Sequence, residues 1–75
     1  MKTTLDQLKI GQSASILKVE GEQAIRRHLF DLGLTPGAKI IMRKPAPLGD
    51  PIEFKVRQYK LSLRKSDASN VTIDI

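Results

Sequence analysis

The chain has no cysteine and no tryptophan, and only one of its 75 residues is a histidine. Without thiols it can form neither disulfide bonds nor thiolate metal ligands. His28 has no second imidazole or thiolate with which to complete a transition-metal site, and Asp31, three residues further on, can at most share an adventitious ion with it. The sequence therefore predicts a structural or surface role for His28 and no metal or cofactor site.

Long apolar runs are also absent. No run approaches the roughly 20 residues that a membrane-spanning helix needs. The segment from Met1 to Asp6 lacks the hydrophobic core of a secretory signal peptide. We expect the chain to lie in the cytoplasm.

Residue types that commonly catalyse reactions are present, but they form no recognisable pattern. The five serines have no histidine and acid placed to activate them, and the eight acids show no paired-carboxylate signature. A lone glycine such as Gly49 is not a phosphate-binding loop. We expect that the chain is not an enzyme and that it has no catalytic residues.

Positive charge is concentrated in one part of the sequence. Residues 39–65 contain eight Lys and Arg against two acids, within a chain whose net charge is +5. Such a segment attracts nucleic acid, acidic protein or anionic lipid. The aromatic residues are only Phe30, Phe54 and Tyr59, too few for a good platform for nucleic-acid bases or a groove for proline-rich peptides. Nucleic acid is therefore not the first choice of partner.

The apolar residues predict one mostly β domain over residues 1–75. Val, Ile, Leu and Phe together number 22, enough for one core in a chain of this size. Apolar and polar residues alternate as in strands with one buried face. Five strands are predicted: 10–19, a second that is centred on 40–42 and runs out at Pro45, 52–57, 60–64 and 71–75. The first is irregular, with Ala14, Ile16, Leu17 and Val19 inward or bulged, and a turn or one 3₁₀ turn is expected at 66–70.

One helix is predicted between the first two of these strands, from Glu22 to Leu32. Its apolar residues recur at i, i+4 and i+7, namely at Ile25, Leu29 and Leu32. Gly33 suits the left-handed position after a helix, and Leu34 would then contact Leu29 in a Schellman arrangement. Thr35 to Ala38 fits a type II turn.

Three segments in the same order and spacing resemble the FeoA family, ferrous iron transport protein A. They are Arg26-x-x-Leu29-x-x-Leu32-Gly33-Leu34-x-Pro36-Gly37, Ala46-Pro47-Leu48-Gly49-Asp50-Pro51 and Leu61-Ser62-Leu63-Arg64-Lys65. The resemblance implies a small SH3-like β-barrel of about five strands with one α-helix between strands 1 and 2.

The same resemblance implies a function. It would make the chain a non-catalytic accessory protein of bacterial ferrous iron uptake, which binds the cytoplasmic part of the FeoB ferrous transporter and modulates its assembly or GTP-linked activity. Contact with the membrane would then come only through that partner. Two alternatives remain: a small basic barrel that binds nucleic acid, and a metal-responsive module similar to the C-terminal domain of iron-dependent repressors.

The first candidate for partner contact is the proline-braced loop, comprising Pro47, Leu48, Gly49 and Asp50. Leu48 stands between a proline and a glycine, neither of which offers it a core neighbour, and an exposed Leu on a stiff loop loses little entropy on docking. The alternative is that Leu48 folds back over the end of the barrel while the prolines block the sheet edge.

The helix and its exit supply the other candidates, Arg26, Arg27 and Leu34. The two arginines suit contacts with acidic groups, although the general rule that surface charges contribute little favours a solvated helix face. Lys55, Arg57, Lys60 and Arg64 form a basic stripe, predicted either to dock a partner or to protect an exposed sheet edge.

Gln58 departs from the family pattern, in which glycine often stands at this position. A two-residue hairpin turn there would need a positive φ, which costs a residue with a side chain roughly 1 kcal/mol. We expect either a strained Gln58 or a longer, bent ribbon.

Overall fold

A computed structural model describes residues 1–45, 47 and 49–75 of the chain. Within them the chain forms six β-strands, two α-helices and one 3₁₀ helix. In chain order these are β1 (Lys2–Thr4), the 3₁₀ helix (Leu5–Gln7), β2 (Ser13–Val19), α1 (Gln23–Asp31), β3 (Lys39–Pro45), β4 (Ile52–Val56), β5 (Tyr59–Leu63), α2 (Lys65–Ala68) and β6 (Val71–Asp74).

All six strands belong to one antiparallel sheet with the order β1-β6-β2-β3-β4-β5. The prediction of a mostly β domain is confirmed, but two details of the predicted barrel are wrong. Over the residues described, β1 and β5 do not pair, so backbone hydrogen bonds do not close the sheet. The helix lies between the second and third strands because an additional strand, β1, precedes the first predicted one.

Strand β1 is held by residues at the other end of the chain. Thr3 pairs with Ile73, and the N-terminal ammonium donates a hydrogen bond of 2.8 Å to the Asp74 carboxylate. That hydrogen bond and the positive charge of the ammonium keep the pKa of Asp74 below its usual value. A three-residue strand shows no alternation that a local pattern can detect, so only its pairing with β6 defines it.

Strand β2 begins at Ser13 and not at Ile10, because the preceding residues form a tight turn. The Gln12 amide donates to the Lys9 carbonyl at 2.9 Å, and the Lys9 amide donates to the Gln12 side chain at 3.0 Å. Ile10 lies in this turn and is 68% exposed. The predicted irregularity further along is confirmed, since the register with β6 shifts between Ile16 and Lys18.

The core lies on the inward side of the sheet, and α1 contributes Leu29 to it. Alternate residues of β4, namely Ile52, Phe54 and Val56, are buried, as the period of two predicts. Leu29 of α1 and Leu34 after it are wholly buried in the same cluster, which also includes Leu5, Ile16, Ile40, Leu63, Val71 and Ile73. The helix is therefore packed on its Leu29 side. The segment predicted to be a turn at 66–70 overlaps the short helix α2.

Helix α1 ends in the predicted Schellman motif. The Leu34 amide donates to the Leu29 carbonyl at 3.1 Å, the Gly33 amide donates to the Phe30 carbonyl at 2.9 Å, and Gly33 has a φ of +93°. The type II turn is also present: the Ala38 amide donates to the Thr35 carbonyl at 3.0 Å. Together these two local motifs return the chain to the sheet as β3.

The hairpin between β4 and β5 has the two-residue turn Arg57-Gln58, because Val56 pairs with Tyr59. The residue with positive φ is Arg57, at +56°. The prediction for Gln58 was therefore wrong in both forms: the strained backbone is at the first turn position, and the ribbon is not lengthened. Because Val56 pairs with Tyr59, the loop contains only Arg57 and Gln58, and in such two-residue loops the first residue has a positive φ.

The tip of this hairpin contacts the exit of α1. The Tyr59 hydroxyl donates a hydrogen bond to the Leu32 carbonyl, and Arg57 Nη2 donates to Thr35 Oγ1 at 3.3 Å. A Cβ added at Gly33 would overlap the Tyr59 hydroxyl. Gly33 is therefore required twice, for its positive φ and for the close approach of Tyr59.

Two glycine substitutions separate these requirements. Gly37 also has a positive φ, of +90°, but a Cβ there meets no atom within 4 Å. We expect Gly37→Ala to lower the free energy of unfolding by about 1 to 2 kcal/mol for its backbone alone. Gly33→Ala should cost at least about 1 kcal/mol more, because the methyl group overpacks against Tyr59. Denaturant unfolding measures both values.

The double variant Gly33→Ala/Tyr59→Phe is the control for that difference, because it removes the overlapping oxygen. In the Tyr59→Phe background, Gly33→Ala should lower the free energy of unfolding by about as much as Gly37→Ala does in the unaltered chain. Equal losses for the two single glycine variants would contradict the close contact between Tyr59 and the helix exit.

The backbone strain at Arg57 gives a second prediction. Arg57→Gly should raise the free energy of unfolding by about 0.5 to 1 kcal/mol, because glycine adopts a positive φ without steric cost. Gln58→Gly is the matched control and should lower it by about 0.5 kcal/mol, since glycine there only adds freedom to the unfolded chain. A stabilising Gln58→Gly with a destabilising Arg57→Gly would show that the turn has the other geometry.

Candidate protein-binding site

The outward side of helix α1 carries an exposed aromatic residue between two arginines. Arg26, Arg27 and Phe30 line one open cleft with Gln23, on an exposed side of the helix that does not include the buried Leu29. Phe30 is 42% exposed, although it is one of only two phenylalanines in the chain. We call these four residues the helix face.

The arginines of the helix face are available for contacts with another molecule. In the part of the chain that the structure describes, neither Arg26 nor Arg27 has a carboxylate within ion-pair distance. Both side chains are exposed. Arginine and aromatic side chains are the types most enriched among residues that dominate binding energy in protein interfaces.

His28 connects the helix to the end of the proline-braced loop. On one side it lines an open cleft with Arg27 and Asp31, together with Glu22, Gln23 and Ala24. On the other side it lines a cleft with Asp50 and Pro51, together with Ser62, Leu63, Arg64 and Asp67. The structure thus places the two predicted contact regions next to each other, and His28 lies between them.

The described residues of the loop are exposed or half-buried, and the side chain of Asp50 connects them to a neighbouring helix. Pro47 is exposed, and Gly49 is half-buried with a φ of +86°. Asp50 Oδ1 accepts a hydrogen bond of 2.8 Å from the Lys65 amide at the start of α2. Asp50 therefore attaches its end of the loop to α2. Leu48, and with it the choice between an exposed contact and a plug, lies outside the described residues.

Leu34 does not belong to the candidate surface. Its exposure is 0%, because it packs beside Leu29 in the core at the Schellman exit. A residue without exposed surface cannot touch a partner, so its assignment as a contact residue was wrong. Its role is to hold the end of the helix.

The predicted basic stripe is divided between three places. Lys55 and Lys60 lie directly opposite each other on β4 and β5. Arg57 is at the hairpin tip, where it contacts Thr35, and Arg64 lines the cleft beside His28. Only the two lysines remain as a continuous basic surface of the sheet.

The described residues contain no group of three or more His, Asp or Glu side chains close enough to hold a metal ion. His28 has Asp31 on one side and Asp50 on the other, without forming such a group with them. None of the helices described is long and apolar enough to cross a membrane. The absence of a resident metal stays a prediction.

Two residues of this region were not identified from the sequence as parts of a surface. Phe30 follows the buried Leu29 by one position and therefore lies about 100° away from it around the helix. This spacing could have predicted that Phe30 is exposed. Tyr59 has no comparable signal, because its contact with Leu32 depends on the folded position of the hairpin.

The FeoA domain family matches residues 3–75 of the chain. A curated relative is the Fe(2+) transport protein A/Fe(2+) transporter FeoB fusion protein of Porphyromonas gingivalis, which is 32% identical over 71 residues. The match covers 95% of this chain and 8% of the fusion protein. In that relative, the part similar to this chain and a ferrous iron transporter are joined in one polypeptide.

Solved structures agree with this match. The FeoA protein from Chlorobium tepidum is 42% identical, with a TM-score of 0.89 over 97% of this chain and 70% of the other. FeoA of Stenotrophomonas maltophilia, solved in complex with zinc and described as an SH3 domain protein, is 32% identical, with a TM-score of 0.83 over 96% of this chain and 89% of the other. The predicted SH3-like fold is confirmed by this similarity, with the open sheet described above.

Proposed function

Since the chain belongs to the FeoA family, we propose that it is a non-catalytic accessory protein of bacterial ferrous iron uptake. It acts in the cytoplasm, binds the cytoplasmic part of a FeoB-type ferrous iron transporter and modulates the assembly or GTP-linked activity of that transporter. The observation that carries the proposal is the fusion in Porphyromonas gingivalis. Joining two domains in one chain raises their effective concentration, which is useful when they must bind each other.

The helix face is the surface that we propose for this contact. Phe30 offers apolar area on a side chain with few rotatable bonds, so its immobilisation costs little entropy. Arg26 and Arg27 flank it and suit bidentate contacts with carboxylates of the partner. His28 and Asp50 extend the surface towards the proline-braced loop.

The arrangement of the aromatic residues argues against nucleic acid as the partner. Phe54 is wholly buried, Phe30 is on α1, and the Tyr59 hydroxyl is bonded to the Leu32 carbonyl. Binding of single strands relies on aromatic side chains that stack successive bases along one groove. These three residues do not provide such a row.

The proposal predicts the effect of substitutions on the helix face. We expect Phe30→Ser to weaken binding to the purified cytoplasmic domain of the FeoB transporter at least about tenfold, because truncating a dominant aromatic anchor costs about 2 kcal/mol or more. Arg27→Glu should weaken it by a similar factor through charge reversal. Titration calorimetry measures the affinities, and thermal unfolding checks that each variant is folded.

Lys60→Glu is the control, because it changes the net charge as Arg27→Glu does but lies on the sheet. It should leave the affinity within about threefold of the original, since rim or distant charges contribute little. Leu48→Asp tests the loop separately. Undiminished binding by both Phe30→Ser and Arg27→Glu would remove the helix face from the interface, and absence of binding by the unaltered chain would overturn the proposed function.

A further inference from the structure

The outer face of strands β3, β4 and β5 carries several cations that do not belong to the helix face. Its outward side chains include Lys39, Ile41, Arg43, Lys55 and Lys60, and we call these five the basic sheet face. All five are exposed, and none belongs to the helix face. Glu53 is the acid on this side of the sheet, and it accepts a hydrogen bond of 3.1 Å from Arg43 Nε.

The sheet register places like charges against each other at the centre of this face. Ile41 pairs with Lys55, and Lys55 pairs with Lys60 on the next strand. Two lysines directly opposite on neighbouring strands destabilise a sheet. Among the described residues, neither has an acid within ion-pair distance. The protein thus maintains an unfavourable pair whose repulsion an anionic ligand would relieve.

Exposed aliphatic side chains lie beside these cations. Ile41 is 39% exposed in the middle of the face, and Ile10 is 68% exposed in the turn before β2. The two line one open cleft together with Arg43 and Lys44. Ile10 is at the tip of a turn that is fixed by the hydrogen bonds between Lys9 and Gln12. The turn therefore keeps the Ile10 side chain exposed to water, and packing against the core does not account for its position. Apolar area of this kind favours transfer out of water.

We propose that the basic sheet face binds the anionic headgroup surface of a lipid bilayer, with Ile10 and Ile41 entering the apolar boundary. Cations around a small aliphatic tip are the combination by which proteins bind the interface of anionic membranes. A nucleic acid would find no aromatic side chain on this face to stack upon. The carboxylates of an acidic peptide would pair with the cations but would leave the exposed Ile10 and Ile41 uncovered, whereas a lipid interface engages both.

This inference goes beyond the proposed function, because it concerns a direct contact of the chain with lipid. It does not depend on the transporter, and its residues differ from those of the helix face. Substitutions can therefore disrupt binding at either surface while the other surface stays intact.

The test is sedimentation of the full chain with lipid vesicles. We expect binding to vesicles of phosphatidylcholine mixed with phosphatidylglycerol, little binding to phosphatidylcholine alone, and a decrease with added salt. Lys60→Glu should weaken binding at least about tenfold, because it replaces attraction by repulsion at the headgroups. The same substitution should raise the unfolding temperature, since it places an acid opposite Lys55. Loss of binding in a more stable protein cannot result from unfolding.

Two matched controls complete the test. Arg27→Glu makes the same change in net charge on the helix face and should keep most of the binding. Ile10→Ser should weaken binding severalfold, whereas Ile75→Ser, at a residue 44% exposed outside this face, should not.

Three results would overturn the inference. These are equal binding to both kinds of vesicle, equal losses for Arg27→Glu and Lys60→Glu, and tighter binding to single-stranded DNA or to polyglutamate with the same dependence on Lys60. The last would assign the face to nucleic acid or to acidic protein. None of these outcomes affects the affinity for the transporter, which is measured without lipid.

Discussion

The hydrogen bond from the Leu34 amide to the Leu29 carbonyl fixes the end of helix α1, and the helix face depends on how that helix is held. A helix of nine residues is too short to be stable by itself in water. Its stability has to come from burial of Leu29 and Leu34 and from the hairpin tip that contacts its exit. Once Leu29 faces the core, helical geometry directs Phe30, Arg26 and Arg27 outward.

The features that the sequence predicted correctly are those determined by neighbouring residues. The Schellman exit at Gly33, the type II turn at Gly37 and the alternation along β4 each follow from a few adjacent side chains. The features that escaped prediction depend on distant pairing. Strand β1 forms only through its pairing with β6, and Arg57 has the positive φ because Val56 pairs with Tyr59.

The residues of the candidate site divide in the same way, into those predicted by local sequence patterns and those whose position depends on the whole fold. Arg26 and Arg27 were identified because they lie off the apolar stripe of a predicted helix, and the structure leaves both exposed. Leu34 was assigned both to the helix exit and to the surface, and its burial shows that these two roles exclude each other. The proximity of His28 and Asp50 comes from the fold of the whole sheet, which no local pattern contains.

The protein thus presents two surfaces of different chemistry on one small core, an aromatic and arginine-rich helix and a cationic sheet with an aliphatic tip. The central claim is that the transporter contacts the first of them. A titration of the isotope-labelled chain with the cytoplasmic domain of the transporter, followed by amide chemical shifts, tests this at every residue. The account predicts shifts along α1 around Phe30 and at Asp50, with Lys55 and Lys60 unchanged. Shifts confined to β3, β4 and β5 would contradict it.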